Sequence, residues 1–266
     1  MSKGTYGSID IMKLYPKGFS GSTLKIIAIF AMVIDHIGLG IWYRLPELGY
    51  LGPETIDVET WWLTYQAMRN IGRTAFPIFC FLLVEGFFHT RSYFKYALRL
   101  FAFAFISQLP FRYAFLDLIE GRNVFFTLFI GVLAMWGMNE LKDRWPRRWI
   151  YWPGWLVVIA TAGYLAHLLD TDYSYMGIVL IAVLYIFNKT RIPALITSYL
   201  SFKISMYCGS SASVGFLKYM SGDFYFVGFI VSSFYNGCRG LKFKYIFYLI
   251  YPVHLTIIYM VWSYLL

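Results

Sequence analysis

The first apolar run of the chain, 24–43, carries two side chains able to do chemistry, Lys25 near its start and His36 in its far half. They stand eleven residues apart. At about 100° per residue this is about 1100°, so the two share a helix face to within roughly 20°, about 16 Å apart along the axis. An extended pantetheine arm has a similar length. A cytosolic acyl-CoA held near Lys25 would therefore present its thioester near His36, which suits a general base toward an acceptor nucleophile or a transient acyl carrier. Asp35 precedes His36, and consecutive helical side chains do not face each other. An aspartate in an apolar run needs a partner, and the run 66–88 offers Arg69 and Arg73, four apart on one face. Arg73 precedes Thr74-Ala75-Phe76-Pro77, where Pro77 is expected to kink the helix. His36, with Asp35 and Arg73 ordering it, is the expected catalytic group.

Other charged and polar residues extend this reading. Arg91, Lys95 and Arg99 follow an i, i+4, i+8 spacing, and Arg239 sits in the turn Tyr235-Asn236-Gly237-Cys238-Arg239-Gly240. With Lys25 these cations suit the phosphates of coenzyme A, although anchoring at a membrane surface explains the same pattern. Glu85 and His89, four apart, are expected to form a local pair. Gln108, Asn123, Thr127, Asp172 and His254 are expected to line a polar cavity for an acceptor. An oxyanion also needs a donor, which Arg73, Asn123 or Gln108 would supply. No phosphate loop, Rossmann glycine pattern, nucleophile elbow or metal-ligand histidine spacing is present, and no metal is expected.

The elements that must position these residues follow from composition. The 266 residues are 59% hydrophobic and 21% aromatic, and only 14% are charged. A soluble domain carries about 25% charged residues, so this chain cannot cover a soluble surface and must lie in a lipid bilayer. Apolar runs fall at 24–43, 66–88, 96–116, 124–141, 151–169, 174–188, 192–208, 219–236 and 245–265. The pattern predicts an all-α transmembrane bundle of about nine spanning helices in one domain, 1–266, with 1–23 as a cytosolic segment. The count falls to eight if the two runs interrupted by Lys203 and Asp223 merge.

The net charge of +9 does not mark a nucleic-acid binder, because Lys and Arg lie in short loops. Segments on the side of the N-terminus hold fourteen of them, against Arg44, Arg112, Arg122 and Lys218 on the other side. That asymmetry predicts an N-in, C-out orientation. Trp61 and Trp62 are expected in the interfacial aromatic belt. Cys80, Cys208 and Cys238 have no disulfide or zinc spacing and are expected to pack between helices. The first run is long enough to remain as an anchor, so no cleaved leader is expected.

The chain resembles the TraX family of membrane proteins, whose namesake acetylates the N-terminus of F pilin. The residues that carry the resemblance are Leu24-Lys25-Ile26-Ile27-Ala28 through Ile34-Asp35-His36, Gly72-Arg73-Thr74-Ala75-Phe76-Pro77-Ile78-Phe79, Glu85-Gly86, Tyr96 with Arg99-Leu100, Ser107-Gln108-Leu109-Pro110-Phe111, Asn123 through Thr127, Tyr235-Asn236-Gly237 with Arg239-Gly240, and Tyr251-Pro252-Val253-His254-Leu255. The family looks related to the wider transmembrane acyltransferases, among them polysaccharide O-acetylases and the lysosomal heparan glucosaminide N-acetyltransferase. In the O-acetylase pattern an Arg precedes a His by eleven positions. Lys25 holds that place here, and a lysine makes no bidentate phosphate contact.

The resemblance implies acetyl-CoA as donor, cytosolic access and an acceptor facing outward. The expectation is a multi-pass acetyltransferase of the bacterial inner membrane acting on an amine, such as a pilin N-terminus, an amino sugar or a small amine. An O-acetyltransferase of surface glycan is the alternative within the class, and a transporter or scaffold the alternative outside it. Few ionisable residues in the later runs and the lack of an internal repeat weigh against a coupled transporter. The physiological acceptor and homo-oligomer formation stay open.

Overall fold

A computed structural model describes residues 18–52, 54–116, 118–209, 224–241 and 244–265. Asp117, Lys218, Asp223, Lys242 and the segment 1–17 lie outside the described residues. Ten α-helices are described: α1 (Gly21–Gly40), α2 (Val58–Arg73), α3 (Ala75–His89), α4 (Tyr93–Ala114), α5 (Val124–Arg144), α6 (Arg148–Leu168), α7 (Ser174–Ile186), α8 (Arg191–Gly209), α9 (Tyr225–Ser233) and α10 (Lys244–Leu265). A 3-10 helix, Trp42–Leu48, follows α1. Among the described residues there is no β-strand, as the lipid solvent requires of a helical chain: every backbone polar group must be satisfied within its own segment.

Among these residues, five helical segments are long and apolar enough to cross a membrane: Gly21–Leu48, Val58–His89, Val124–Arg144, Arg148–Leu168 and Tyr245–Leu265. The multi-pass character stands on these. The other expected spans differ for visible reasons. α4 carries Lys95, Arg99 and Arg112, α7 has 13 residues, and α9 has 9.

The second element also departs from the expected 66–88 run. It starts earlier, at Val58, where Asp57 caps the helix by accepting from Thr60 N at 2.9 Å. Hydrogen bonds from Thr60 hold the exposed Asp57 carboxyl below its ordinary 3.8. The break falls at Thr74, one turn before Pro77, which sits in the first turn of α3 where a missing N–H costs no helical bond.

α3 lies at the centre, packed by α1, α7, α9 and α2. Its side chains Phe76, Ile78, Cys80, Leu83, Val84 and Phe87 are buried. α4 packs along α10, and α5, α6 and α7 pack on one another. Two sets of loops define two ends. At the basic end, the turn between α9 and α10 is bound to the start of α1. Gly21 N donates to Cys238 O at 2.8 Å and Ser22 N to Arg239 O at 3.0 Å, which satisfies amides at the helix start. Gly240 has φ 72°, and a methyl there would sit 2.0 Å from Ser22 Oγ, so only glycine fits this turn.

At the opposite end, the expected outer cations act as ties. Arg44 donates to Leu116 O and lies 4.8 Å from the Trp262 ring, and Arg122 donates to Leu169 O. Trp42 and Trp61 exchange indole-to-carbonyl bonds at 3.0 and 2.9 Å and, with Tyr43, Trp62 and Tyr65, form an aromatic cluster there. Cys80 packs in the core as expected, whereas Cys238 lies exposed in a loop and Cys208 is exposed on α8.

Candidate functional site

α1 and α2 come close together at Gly72, where a methyl group would sit 2.1 Å from Asp35 Cβ. Small residues permit this approach between membrane helices, and here it sets the partner of Asp35. Arg69 Nη1 donates to Asp35 Oδ2 at 2.7 Å, with the side chains 27% and 17% exposed. Arg73, one turn further, also acts on the Asp35 carboxylate, and its guanidinium lies 5.8 Å from the Tyr225 ring of α9. The expected Asp–Arg pairing is therefore present, with Arg69 as the direct partner.

His36 turns the other way, toward α10. Its Nδ1 lies 2.7 Å from His254 Nε2, and the two rings meet edge to edge with planes 12° apart and centroids separated by 5.0 Å. His254 Nδ1 lies 2.8 Å from Ile250 O. Phe115 and Tyr251 stand edge-on to His36, with centroids at 5.1 and 5.9 Å. His36 is half-buried and His254 is buried. Nothing local in the sequence announces this pairing, since 218 residues separate the two histidines.

Asp172, on the connection between α6 and α7, acts electrostatically on Asp35 and Arg69. Its backbone is held firmly. Asp172 N donates to Arg122 O at 2.8 Å, and Thr127 Oγ1 donates to Asp172 O. Asp170, Tyr173 and Ser174 all have positive φ, at 46°, 61° and 43°. Such conformations are disfavoured outside glycine and persist where surrounding contacts impose them. Tyr173 stacks on Phe76 with centroids 3.6 Å apart, and both Tyr173 and Tyr251 feel Asp35 and Asp172. Two carboxylates, two guanidinium groups and two imidazoles thus share one interior region, built by α1, α2, α10 and the α6–α7 connection.

Other expected site residues go elsewhere. Gln108 Oε1 accepts from Asn123 N and Nδ2 at 3.1 and 2.9 Å, and Gln108 Nε2 donates to Gly121 O at 2.9 Å. Asn123 also donates to Ala104 O at 2.8 Å and accepts from Phe125 N at 3.0 Å as the cap of α5. Both amides are spent on joining α4 to α5, and Thr127 is fully buried. These three join helices to one another and, through Thr127, to the Asp172 connection.

The expected helical stripe of Arg91, Lys95 and Arg99 is corrected too. α4 begins at Tyr93 behind the cap Ser92, so Arg91 precedes the helix. Arg91, Lys95 and Arg239 are exposed. Arg99 lies 5.7 Å from the Tyr96 ring and acts electrostatically on the Tyr248 hydroxyl, and its buried Nε has no hydrogen-bond partner among the described residues. Lys25 Nζ lies 5.3 Å from the Phe247 ring. Lys25 and Arg99 therefore flank adjacent residues of α10, about 9 Å along the helix from His254. Glu85 and His89 form the expected local pair, with Oε2 and Nδ1 3.9 Å apart. Glu85 lines a separate cleft of about 110 Å³ with Lys189 and Arg191. Among the described residues no group of three or more His, Cys, Asp or Glu could hold a metal ion.

The family model described as TraX protein matches residues 20–262. A protein described as "Probable fimbrial assembly protein FimC, serogroup H1", from Dichelobacter nodosus, is 29% identical over 258 residues, which cover 90% of this chain and 94% of that protein. No solved structure matches.

Proposed function

The chain belongs to the TraX family, and from that premise we propose an integral membrane acetyltransferase that moves an acetyl group from cytosolic acetyl-CoA to an amine at the outer side. The observation that carries this reading is the His36 imidazole. It is held inside the bundle by a second histidine and stands next in sequence to the Asp35–Arg69 ion pair. Ionisable groups at membrane depth are costly and mark functional sites by default. The basic end of the bundle is the cytosolic one by the asymmetry of its loops, and it also holds Lys25, Arg99 and Arg239.

The chemistry balances with the residues present. The neutral amine nitrogen attacks the thioester carbonyl carbon and the carbon–sulfur bond breaks. His36 takes a proton from the amine and delivers it to the departing sulfur, leaving an amide and a free thiol. Arg73 would supply the donor for the negative charge that develops on the carbonyl oxygen, with Arg69 holding Asp35 beside it. Lys25, Arg99, Arg239, Arg91 and Lys95 supply the positive charge for the donor's phosphates, with Arg99 and Lys25 nearest the dyad. Asp172 suits an acceptor that arrives as an ammonium. The relative's description as a fimbrial assembly protein favours the N-terminus of a pilin subunit as that acceptor.

Thermal unfolding of the detergent-purified chain, with and without acetyl-CoA, tests the donor. A saturable rise in the midpoint, weakened by Lys25→Ala with Arg99→Ala, is expected because a ligand of the folded state stabilises it. A labelled acetyl group should then pass to a pilin-type N-terminal peptide, with His36→Ala slower by roughly 10²–10⁴-fold. Full transfer by folded His36→Ala would overturn the reading.

A further inference from the structure

The contacts of the two histidines determine which nitrogen of His36 can react. A carbonyl oxygen only accepts, so His254 Nδ1, 2.8 Å from Ile250 O, must carry a hydrogen. In a neutral His254 the lone pair then lies on Nε2. That atom is 2.7 Å from His36 Nδ1, so His36 Nδ1 must carry the hydrogen of this bond. Each assignment follows from the one before, starting at a backbone carbonyl that cannot change its role. The lone pair of neutral His36 is left on Nε2.

We propose that His254 is a positioning residue. It fixes His36 as the tautomer protonated on Nδ1, so that Nε2 is the one reacting nitrogen. Three further features hold the arrangement. The His254 ring is buried, its plane is 12° from that of His36, and Phe115 and Tyr251 fix the His36 ring edge-on. Once Nε2 has taken a proton, Nδ1 still donates to His254, so the ring need not turn before the proton passes on to sulfur. The same atom would bear the acetyl group if transfer goes through an acyl-histidine. This places His254 one step behind the reaction, as the residue that selects the form of His36, rather than at the acceptor. Its role in transfer rests on the acetyltransferase reading, whereas the tautomer itself does not.

Nitrogen-15 NMR of the full chain in lipid nanodiscs, labelled at histidine, tests the assignment without any substrate. The chain has four histidines, and His36→Gln, His89→Gln and His167→Gln identify the signals. The expected spectrum shows His36 protonated on Nδ1 and bare on Nε2, with His254 in the same form. A His36 bare on Nδ1 overturns the proposal, whether or not the chain transfers acetyl groups. In His254→Phe, which keeps a ring but no acceptor, His36 should become a mixture of both tautomers. Transfer should fall roughly 100-fold with KM for the donor unchanged. His254→Gln presents Oε1 as an acceptor near the position of Nε2 and should restore transfer to within about tenfold. Full transfer by His254→Phe, or equal loss in His254→Gln and His254→Phe, also overturns it. If no preparation transfers acetyl while the wild-type tautomer is as expected, the acetyltransferase reading fails and the assignment of His36 stands.

Discussion

Between α5, α6 and α7 the interior is made of Ile130, Ala134, Ala162, Ala166 and Ile178, while between α1, α2 and α10 it is made of Asp35, His36, Arg69 and His254. In a bilayer the first kind of interior gains little over contact with lipid tails, and its helices are held by close packing. The second kind costs free energy wherever a charge or a polar atom lacks a partner. The polar half is accordingly the more constrained one. Gly72 admits Asp35, the turn at Gly240 ties α10 to α1, and three residues of positive φ carry the Asp172 connection. The apolar half is tight at some points and open at others, since a methyl on Gly131 of α5 would sit 2.5 Å from Ile181 Cδ1. At Gly137 of α5 the nearest atom to an added methyl is Val158 Cγ1, at 3.6 Å.

Glycine-to-alanine changes in the two halves sharpen this contrast most. Gly72→Ala drives a methyl into Asp35 and must part α1 from α2, at a cost of about 3 kcal/mol, near the top of the range for overpacking. Gly137→Ala should be neutral or stabilising by up to about 1 kcal/mol, since alanine favours the helix. Thermal midpoints in detergent read both, and equal midpoints would remove the distinction.

The Asp35–Arg69 pair comes next. Asp35→Asn and Arg69→Gln should each destabilise, and the double variant should cost less than their sum by about 1–2 kcal/mol. The side chains are 27% and 17% exposed, so the coupling falls below that of a fully buried pair. Strict additivity would mean that the pair holds nothing in place.

The smallest effect is at the helix starts. Asp57, whose folded carboxyl titrates below 3.8 because it accepts from Thr60, supports α2 above its unfolded pKa. That support is lost as pH falls through the lower folded value. Asp57→Asn keeps a cap without the charge and should flatten this part of the acid melting curve below about pH 4. α6 starts at Arg147 with no side-chain cap, so the acid sensitivity should belong to the polar half.

Local signals in the sequence explain what was legible. Low charge and apolar runs identify a multi-pass helical chain, and Asn123 stands where the fourth run begins, whereas the caps Asp57 and Ser92 set starts for α2 and α4 that the apolar runs do not mark. Asp35 could be expected to reach an arginine of the next run because a buried carboxylate demands one, although only the packing at Gly72 selects Arg69 over Arg73. The pairing of His36 with His254 left no trace, because no spacing rule links the first helix to the last. The partners of Gln108 and Asn123 were hidden for a related reason. An amide inside a membrane must be satisfied, and the sequence does not say whether a ligand or a neighbouring helix satisfies it. The start of α4 decides the fate of Arg91, and a single serine cap moves it off the helix.

The ties between the α9–α10 turn and the start of α1 also bear on how the site comes into being. His36 lies on α1 and His254 on α10, so 218 residues of synthesis separate the two imidazoles. A chain arrested before Cys238 lacks the carbonyls that cover Gly21 and Ser22, and it lacks the partner of His36. Such a fragment has the imidazole without the orientation. The paired imidazoles therefore form only once α10 has been made, and products of translation that stop short of α10 should lack the pairing.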